Sequence, residues 1–479
     1  MTQGTHDESP VDVVSSKYCG MQWHPFALST PTFSAVDEKI SSSEHFLHTV
    51  SKLVPSLYSS AETAMCSTHG ATAIACLGVD FMAESVAAIL AKSGYGHVPV
   101  YRATPQRIGC SLADAAERGS YYKWLSDGVA TTRNPLHVVY INTSLETKSR
   151  AASIMPTITC TSSNVVKTIL QADAQLGGDV TVHFGPDTCM GDNLRELLLT
   201  VSSTWSDADV AEKLHRQHSR RSVRSLADRL RVYPLGSCVV HHMFGREVVE
   251  TVQSEYSDAY VTAHLEVPGE MFKLAMAASL EGRGVVGSTK DILNFIVAET
   301  TRAAKAPPSE SSGPPRLRFV LGTEAGMVSS IVSAVRSVLS HPLSSPLSIE
   351  VVFPVAAAAV SSAAALPELG GGVVPGTSGG EGCSSAGGCA TCPFMKMNDV
   401  DALADVLDMR AREIKGDRVA GTRLETHRPP RRLEGKKAED GRDMVEVGVE
   451  PIMYMREMMK EGVLAKELVC KITERRAVE

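Results

Sequence analysis

The sequence lacks several features that would assign it to a class at once. No apolar run reaches the roughly 18 residues of a membrane-spanning helix, so we do not expect the chain to enter a bilayer. The net charge of −7 gives no basic excess for binding nucleic acid or an acidic membrane surface. Aromatic residues make up only 5%, whereas alanine, valine, glycine and serine are abundant, which favours packed α/β layers.

The N-terminal residues MTQGTHDESPVD are acidic and contain no apolar core segment, so they predict neither a secretory signal nor a transit peptide. The chain has 11 cysteines. Without a secretory signal, these indicate thiols and metal ligands instead of a disulfide framework. We therefore expect a reducing compartment, the cytoplasm by this criterion.

An internal repeat is the main fold signal. Its unit is an apolar strand, a glycine followed two residues later by an acid, then a methionine and a helical pattern. A cysteine in a turn-like setting follows each copy. The three copies contain Gly78 and Asp80, Gly185 and Asp187, and Gly322 and Glu324; the cysteines are Cys110, Cys238 and the group Cys383, Cys389 and Cys392.

A second half-unit precedes the later two copies. In VVYINTSLETK and AYVTAHLEVPGE, a strand ends on polar residues, and a turn bearing serine or threonine then begins a helix. Strands that alternate with helices predict parallel sheets, whose ligands collect at the carboxyl ends of the strands. The sequence therefore predicts three tandem α/β/α domains, related by pseudo-threefold symmetry around one central site.

The predicted boundaries follow the composition. Domain 1 lacks the first half-unit, and we expect the C-terminal helix to complete it. The predicted parts are a weakly ordered segment 1–45, domain 1 at 46–132 with helix 444–479, domain 2 at 133–232, domain 3 at 233–414 with a Gly/Ser-rich loop, and an exposed charged insertion at 415–443.

The loop Gly382–Asn398, GCSSAGGCATCPFMKMN, is open to three interpretations when taken alone. It suits an iron–sulfur ligand run, a zinc loop or a redox pair of cysteines. Set beside the other two repeat cysteines, it predicts one third of a shared [4Fe–4S] site with an iron that has no protein ligand. Such an iron is a Lewis acid.

The polar strand ends supply groups that move protons or bind anions. His241, His264, Glu266, Tyr140 and Asn142 are candidates for proton transfer and for binding carboxylates. The hydroxyls of Ser162, Ser288 and Thr289, which we expect at helix N-termini, would bind an anion. The set favours lyase or condensation chemistry on small acidic substrates.

These motifs together resemble the quinolinate synthase family, particularly its plant and algal form. The resemblance runs from about Ser56 to the C-terminal helix and rests on GVDFMAES, YINTSLETK, TCTSSNVV, FGPDTCMG, SCVVHHMFG, AHLEVPGEMFKLAM, VVGSTKDIL, GTEAGMV and CATCPFMKMN. It implies a three-domain fold around a [4Fe–4S] cluster. The implied reaction condenses iminoaspartate with dihydroxyacetone phosphate to quinolinate, in NAD biosynthesis.

The resemblance also implies roles for residues. Cys110, Cys238 and Cys392 correspond to the cluster ligands, and His264, Glu266, Tyr140 and His241 to catalytic positions. The family's imino acid site corresponds to Ser56, Tyr140, Ile141, Asn142, Ser162, His264, Leu265, Glu266 and Thr289. Expected partners are the two substrates, the iron–sulfur assembly machinery and an oxidase or dehydrogenase that produces iminoaspartate. Plant relatives reside in plastids, which makes a plastid the alternative address.

One departure from the family lies upstream of Ser56, where a His-x-Tyr pair is expected. The nearest candidates are His24 with Phe26, and His45 with His48. Either the gene model has replaced an exon, or the chain is a catalytically impaired iron–sulfur homologue. Another three-cysteine [4Fe–4S] enzyme, such as a reductase of hydroxymethylbutenyl diphosphate, is a further alternative, although none of its motifs is present.

Other residues of the same types are expected to be structural. The repetition of Asp80, Asp187 and Glu324 indicates helix capping or turn formation instead of catalysis. The remaining cysteines of the folded region are expected to pack as small hydrophobic side chains. They are Cys66, Cys76, Cys160, Cys189 and Cys470.

Overall fold

The structure is a computed structural model that describes residues 24–29, 71–306, 315–324, 327–341, 347–355, 394, 397–398 and 400–474. In these residues the strands form three sheets, and helices alternate with the strands along the chain. The α/β fold class expected from the sequence is confirmed. Two predicted site residues, Ser56 and Cys392, lie outside the described residues, as do Cys383 and Cys389.

The first sheet has the order β1-β2-β3. Strand β1 pairs antiparallel with β2, and β2 pairs parallel with β3. The polarity of β1 departs from the all-parallel sheets that the sequence predicts, and β1 lies in the segment that we expected to be weakly ordered. The elements are β1 (His24–Ser29), β2 (Ala71–Leu77), α1 (Asp80–Lys92), β3 (Val100–Arg102), α2 (Ser111–Ala116) and α3 (Gly119–Thr131).

The second sheet has four parallel strands in the order β5-β4-β6-β7. Its strands are β4 (Pro135–Tyr140), β5 (Thr157–Cys160), β6 (Thr181–Gly185) and β7 (Leu230–Val232). Its helices are α4 (Leu145–Ile154), α5 (Val165–Gln175), α6 (Thr188–Thr204) and α7 (Arg220–Asp228). A short helical segment, Asp207–Asp209 continued by Val210–Leu214, follows α6.

The third sheet is also parallel, in the order β11-β10-β8-β9. Its strands are β8 (Tyr260–His264), β9 (Gly284–Gly287), β10 (Arg316–Gly322) and β11 (Ser348–Val352). Its helices are α8 (Arg246–Glu255), α9 (Gly269–Leu280), α10 (Thr289–Ala304) and α11 (Met327–Leu339). In the second and third sheets alike, the first strand lies between the second and the third. This shared order is the structural form of the sequence repeat.

Four helices follow the third sheet in the chain: α12 (Val400–Ile414), α13 (Arg418–Glu425), α14 (Met444–Glu461) and α15 (Lys466–Thr473). Side chains of α12 and α13 form one apolar core with the first sheet, and α14 packs against α4, β5 and α1. The charged segment 415–443, which we expected to be exposed, is tied to the first sheet. Arg102 N donates to His427 O at 2.6 Å, and His427 Nδ1 lies 3.0 Å from Arg102 O.

The described residues group into two compact units. Those of Trp23–Gly191, Leu198–Gly236 and Phe394–Glu479 form the two-sheet unit, which holds the first and second sheets. Those of Asp192–Leu197 and Ser237–Pro393 form the third-sheet unit. The three-domain boundaries and the pseudo-threefold relation stay predictions. No described helix is both long enough and apolar enough to cross a membrane.

The structure assigns structural roles to two of the three repeated acids. The Asp187 side chain caps α6 by accepting a hydrogen bond from Met190 N at 2.7 Å. Asp80 accepts from Arg102 Nη1 at 2.9 Å and from Ile108 N at 3.3 Å. Both roles agree with the prediction, whereas Glu324 belongs to the site described below.

The expectation for the remaining cysteines holds only in part. Cys76 and Cys160 are fully buried, as small hydrophobic side chains would be, and burial raises the pKa of Cys76 to about 12. Cys189 is half-buried, and Cys66 lies outside the described residues. The expectation is wrong for Cys470, which is exposed on α15 because it lies on the outer face of that helix.

We predict that Gly236→Ala destabilises the two-sheet unit. A Cβ atom at Gly236 would lie 2.0 Å from the backbone oxygen of Pro186, which cannot move without shifting the chain. We expect a loss of about 1–3 kcal/mol or more, seen as a lower midpoint of thermal unfolding. Gly119→Ala is the control, because no atom lies within 4 Å of the added Cβ. Equal midpoints for the two variants would contradict this packing.

We also predict acid sensitivity from two buried histidines of the second sheet. Burial lowers the pKa of His137 to about 3 and that of His183 to about 4, so both are neutral in the folded state. The unfolded chain takes up these protons near pH 6.5. The stability from neutral folded histidines is therefore present above pH 6.5 and is lost as the pH falls towards 4.

The measurement is the thermal midpoint between pH 7 and pH 4. His137→Gln cannot take up a proton, so its midpoint should fall less steeply with acid than that of the wild type. His97→Gln, at an exposed position, should keep the wild-type slope. An unchanged slope in His137→Gln would contradict the prediction.

Candidate active site

Three predicted site residues lie at the carboxyl end of β8 in the third-sheet unit. His264 is the last residue of β8, and Leu265 and Glu266 follow it directly. All three are buried. Strand β8 lies between β10 and β9, so it is an interior strand of the sheet. Its carboxyl end is at the side of the sheet where α/β folds bind ligands.

His241 and Cys238 lie beside this strand end. His241 begins a short 3-10 turn, and its ring stacks on that of His264 with centroids 4.9 Å apart and planes inclined by 10°. His241 Nδ1 is 3.1 Å from Glu266 Oε2. One ligand atom each of Cys238, His241 and Glu266 lies within 4.8 Å of the others. A thiol, an imidazole and a carboxylate therefore converge at one point of this unit.

The tautomer of His264 follows from its contacts. Glu266 N donates to His264 Nδ1 at 3.3 Å, so Nδ1 is the acceptor and the neutral ring carries its proton on Nε2. Burial lowers the pKa of His264 to about 4, although the nearby Glu266 opposes this. The ring is therefore neutral at ordinary pH, with Nε2 as a donor.

Glu324 belongs to the same group, although the sequence pattern predicted a structural role for it. It follows β10, the strand beside β8. Burial raises the pKa of Glu324; the neighbouring His241 opposes this increase, whereas Glu266 adds to it. Glu324 O also accepts from Met327 N at 3.2 Å, so the residue has the turn role that the repeat predicts and in addition lies near Glu266 and His241.

A buried asparagine, which the sequence reasoning missed, holds the turn after β8. Asn193 Nδ2 donates to Leu265 O at 2.9 Å and to Val267 O at 2.7 Å. These are the carbonyl groups on either side of Glu266. The motif TCMGDNL carries this residue, but nothing in its local pattern connects it with a turn more than seventy residues away.

Two of the predicted anion-binding hydroxyls, those of Ser288 and Thr289, differ in their positions at the start of α10. Ser288 caps α10, and its Oγ donates to Asp291 Oδ2 at 2.6 Å within a capping box. Thr289 is the first residue of α10 and is half-buried. Since β9 lies next to β8, the turn bearing Thr289 follows a strand that pairs with the one bearing His264. Thr289 is the better placed of the two for a ligand.

A second set of predicted residues lies in the two-sheet unit. Tyr140 is the last residue of β4, and Ile141 and the half-buried Asn142 follow it. Ser162 follows the neighbouring β5. Because Tyr140 pairs with Cys160, Ser162 and Asn142 both come two residues after paired positions at the same end of the sheet. Ser162 lies in the turn that leads directly into α5, where Val165 N donates to Thr161 O at 3.0 Å. It is half-buried.

Cys110 directly precedes α2 in the same unit and is half-buried. It lines a small cleft together with Ser144 and Arg432. Ser144 caps α4 and follows the turn that bears Asn142, so this predicted cluster ligand lies near the predicted substrate turn. The single site that would unite Cys110 with Cys238 and Cys392 stays a prediction.

Comparison with known proteins assigns the family. Residues 55–342 match the model of the family described as Quinolinate synthetase A protein. The chain is 43% identical over 417 residues to a chloroplastic quinolinate synthase of Nicotiana tabacum, covering 85% of this chain and 55% of that protein. It is 44% identical over 417 residues to one of Oryza sativa subsp. japonica, covering 84% and 56%.

A quinolinate synthase of Sulfurisphaera tokodaii is 29% identical over 254 residues, covering 53% of this chain and 60% of that protein. The chain thus spans little more than half the length of the plant relatives that it matches. The family model nevertheless covers more than half of the chain, including β4, β8 and the residues at their carboxyl ends. The chain belongs to the quinolinate synthetase A family.

Proposed function

We propose that the chain condenses iminoaspartate with dihydroxyacetone phosphate to form quinolinate, releasing phosphate and water. Membership of the family supports this, and one observation of the structure carries it. Cys238, His241 and Glu266 converge to within 4.8 Å at a strand end beside His264. This supports the proposal, because the thiol that we assign to the metal lies next to groups able to serve as the acid and base of a condensation with loss of water.

We further propose that the chain holds a [4Fe–4S] cluster through Cys110, Cys238 and Cys392. The two described thiols fit this role, because both are half-buried and lie beside polar groups. Cys76 and Cys160, by contrast, are fully buried in strands. When bound by three thiolates, such a cluster supplies a Lewis acid at the iron without a protein ligand.

The chain's own groups would move the protons. Glu266 is buried beside two imidazoles, and we assign its carboxylate as the acceptor of protons in the ring-forming steps. His264, neutral at ordinary pH, would donate from Nε2 to a substrate oxygen. Glu324, whose pKa is raised by burial, would serve as a second proton donor beside them.

The strand ends of the second sheet would bind the imino acid. Tyr140, Asn142 and Ser162 supply two hydroxyls and an amide at the ends of adjacent strands, groups that bind carboxylates by hydrogen bonds. We assign Ile141, Leu265, Thr289 and Ser56 to the same imino acid site. The substrate's own amine would form the imine bond to the ketone, so the reaction needs no lysine nucleophile.

The supply of substrate and cofactor follows from this chemistry. An oxidase or dehydrogenase acting on aspartate would produce iminoaspartate, and iron–sulfur assembly machinery would load the cluster. The plant relatives are named as chloroplastic proteins. We therefore propose a plastid as the compartment, in place of the cytoplasmic address that the N-terminal composition favours.

We predict that anaerobic reconstitution gives a brown protein with about four irons per chain. Cys110→Ser, Cys238→Ser and Cys392→Ser should each lose most of this iron and the activity. Cys470→Ser, at an exposed position, should retain both. Iron content and quinolinate formation are the measurements.

Three other results are informative. A loaded but inactive wild type would support the impaired homologue suggested by the absent His-x-Tyr pair. A protein that binds zinc alone would contradict the cluster assignment. A loaded protein that reduces hydroxymethylbutenyl diphosphate with an added electron donor, and forms no quinolinate, would support the alternative enzyme.

We predict that Glu266→Gln lowers kcat by roughly 10²–10⁴-fold, because the amide keeps the shape of the side chain but cannot accept a proton. Iron content should stay at the wild-type level. Glu270→Gln, on the exposed face of α9 in the same unit, is the matched control and should turn over normally. Undiminished turnover in Glu266→Gln would refute the proton-transfer role.

A further inference from the structure

The turn that follows β4 closes around a single buried ammonium group. Lys148 lies in the first turns of α4, and its side chain is fully buried. Its Nζ donates to Ile141 O at 3.1 Å, to Thr143 O at 2.5 Å and to Thr143 Oγ1 at 3.0 Å. An ammonium has three donors, so all three are used by this one turn.

Burying a charged lysine side chain at this position lowers the stability of the fold. In the part of the chain that the structure describes, no carboxylate lies within 4.0 Å of Lys148 Nζ. Burial lowers the pKa of Lys148 to about 7, and Glu84 on α1 opposes this only through its charge. Methionine would fill similar space without the cost of desolvating a charge. The hydrogen bonds to the turn are therefore what the ammonium adds.

The bonds fix the backbone on both sides of Asn142. Its two neighbours, Ile141 and Thr143, accept from the ammonium through their carbonyl oxygens. Ile141 O also accepts from Thr143 N at 2.7 Å, and Thr143 Oγ1 donates to Tyr140 O at 3.0 Å. Asn142, half-buried, is thus presented by a turn whose flanking carbonyl groups are all held from inside.

The third-sheet unit contains the same arrangement at the equivalent strand. There, Asn193 holds the carbonyl groups on either side of Glu266, as Lys148 holds those on either side of Asn142. Strands β4 and β8 occupy the same place in the repeated strand order. Two different side chains thus donate to the two carbonyl groups that flank one residue. We infer that their shared role is to fix the position of that residue.

We propose that Lys148 is a positioning residue, which holds the Tyr140–Thr143 turn in the conformation that binds the imino acid substrate. The inference rests on the proposed function, because it assigns this turn to the imino acid site. Lys148 does not itself react with substrate ketone, since its Nζ is fully buried and is hydrogen-bonded to Ile141 and Thr143.

The test compares the wild-type holoenzyme with Lys148→Met, which removes the three donors and keeps an apolar stem of similar length. Iminoaspartate is generated in the assay from oxaloacetate and ammonia. We expect the apparent KM for oxaloacetate to rise at least tenfold while kcat falls less. The Kd for quinolinate should weaken similarly, with the iron content unchanged. Lys123→Met, at an exposed position on α3, is the matched control.

A second pair of variants keeps the inference falsifiable if Lys148→Met fails to fold. Thr143→Val removes one acceptor of the ammonium and the donor to Tyr140 O, whereas Thr143→Ser keeps both. We expect a raised KM in the valine variant and recovery in the serine variant. A purely structural role would lower the thermal midpoint and leave the KM of the folded, loaded enzyme unchanged.

The outcomes separate the two proposals. A wild type that makes quinolinate, together with a folded, loaded Lys148→Met enzyme of unchanged KM and Kd, would overturn this inference alone. If Lys148→Met does not fold, an unchanged KM in Thr143→Val would overturn this inference instead. A cluster-loaded wild type that forms no quinolinate would refute the proposed function, and this inference would fall with it.

Discussion

The geometry of this protein depends on how its backbone is held where parallel strands end. A strand that leaves its sheet loses the ladder partners of its next peptide groups, and an unsatisfied buried carbonyl costs about 1–3 kcal/mol. Lys148 supplies the missing donors after β4, and Asn193 supplies them after β8. In each case the bonded carbonyl groups flank one residue, Asn142 or Glu266. The same bonds that satisfy the backbone therefore fix a polar residue at the sheet edge.

This constraint also shapes the electrostatics of the third-sheet unit. Because the turn holds Glu266 beside two stacked imidazoles, Glu266 N meets His264 Nδ1 and fixes the tautomer of that ring. Burial then keeps His264 neutral by lowering its pKa, and it raises the pKa of Glu324. One anchored turn thus places a carboxylate and a neutral imidazole beside a second carboxyl group, Glu324, whose pKa is raised by burial.

The sequence could predict those features that the repeat encodes locally. The strand ends at Tyr140 and His264, the helix cap at Asp187 and the α/β alternation all follow from short motifs and periodicity. It could not predict Asn193, because the carbonyl groups that this side chain meets lie more than seventy residues away. Lys148 resembles any lysine of an amphipathic helix until the fold buries it. Glu324 differs from Asp80 and Asp187 only in its tertiary neighbours, which periodicity does not carry.

The first sheet shows what happens when the half-unit that supplies such a turn is absent. In the other two sheets, a parallel strand brings its carboxyl end and an anchored turn to the site edge. Here β1 occupies the corresponding place beside β2 but runs antiparallel, with His24 opposite Leu77 at the carboxyl end of β2. It therefore brings its first residue, and not its carboxyl end, to that edge. Among the described residues, the strand beside β2 thus differs in polarity from the strands beside β6 and β10.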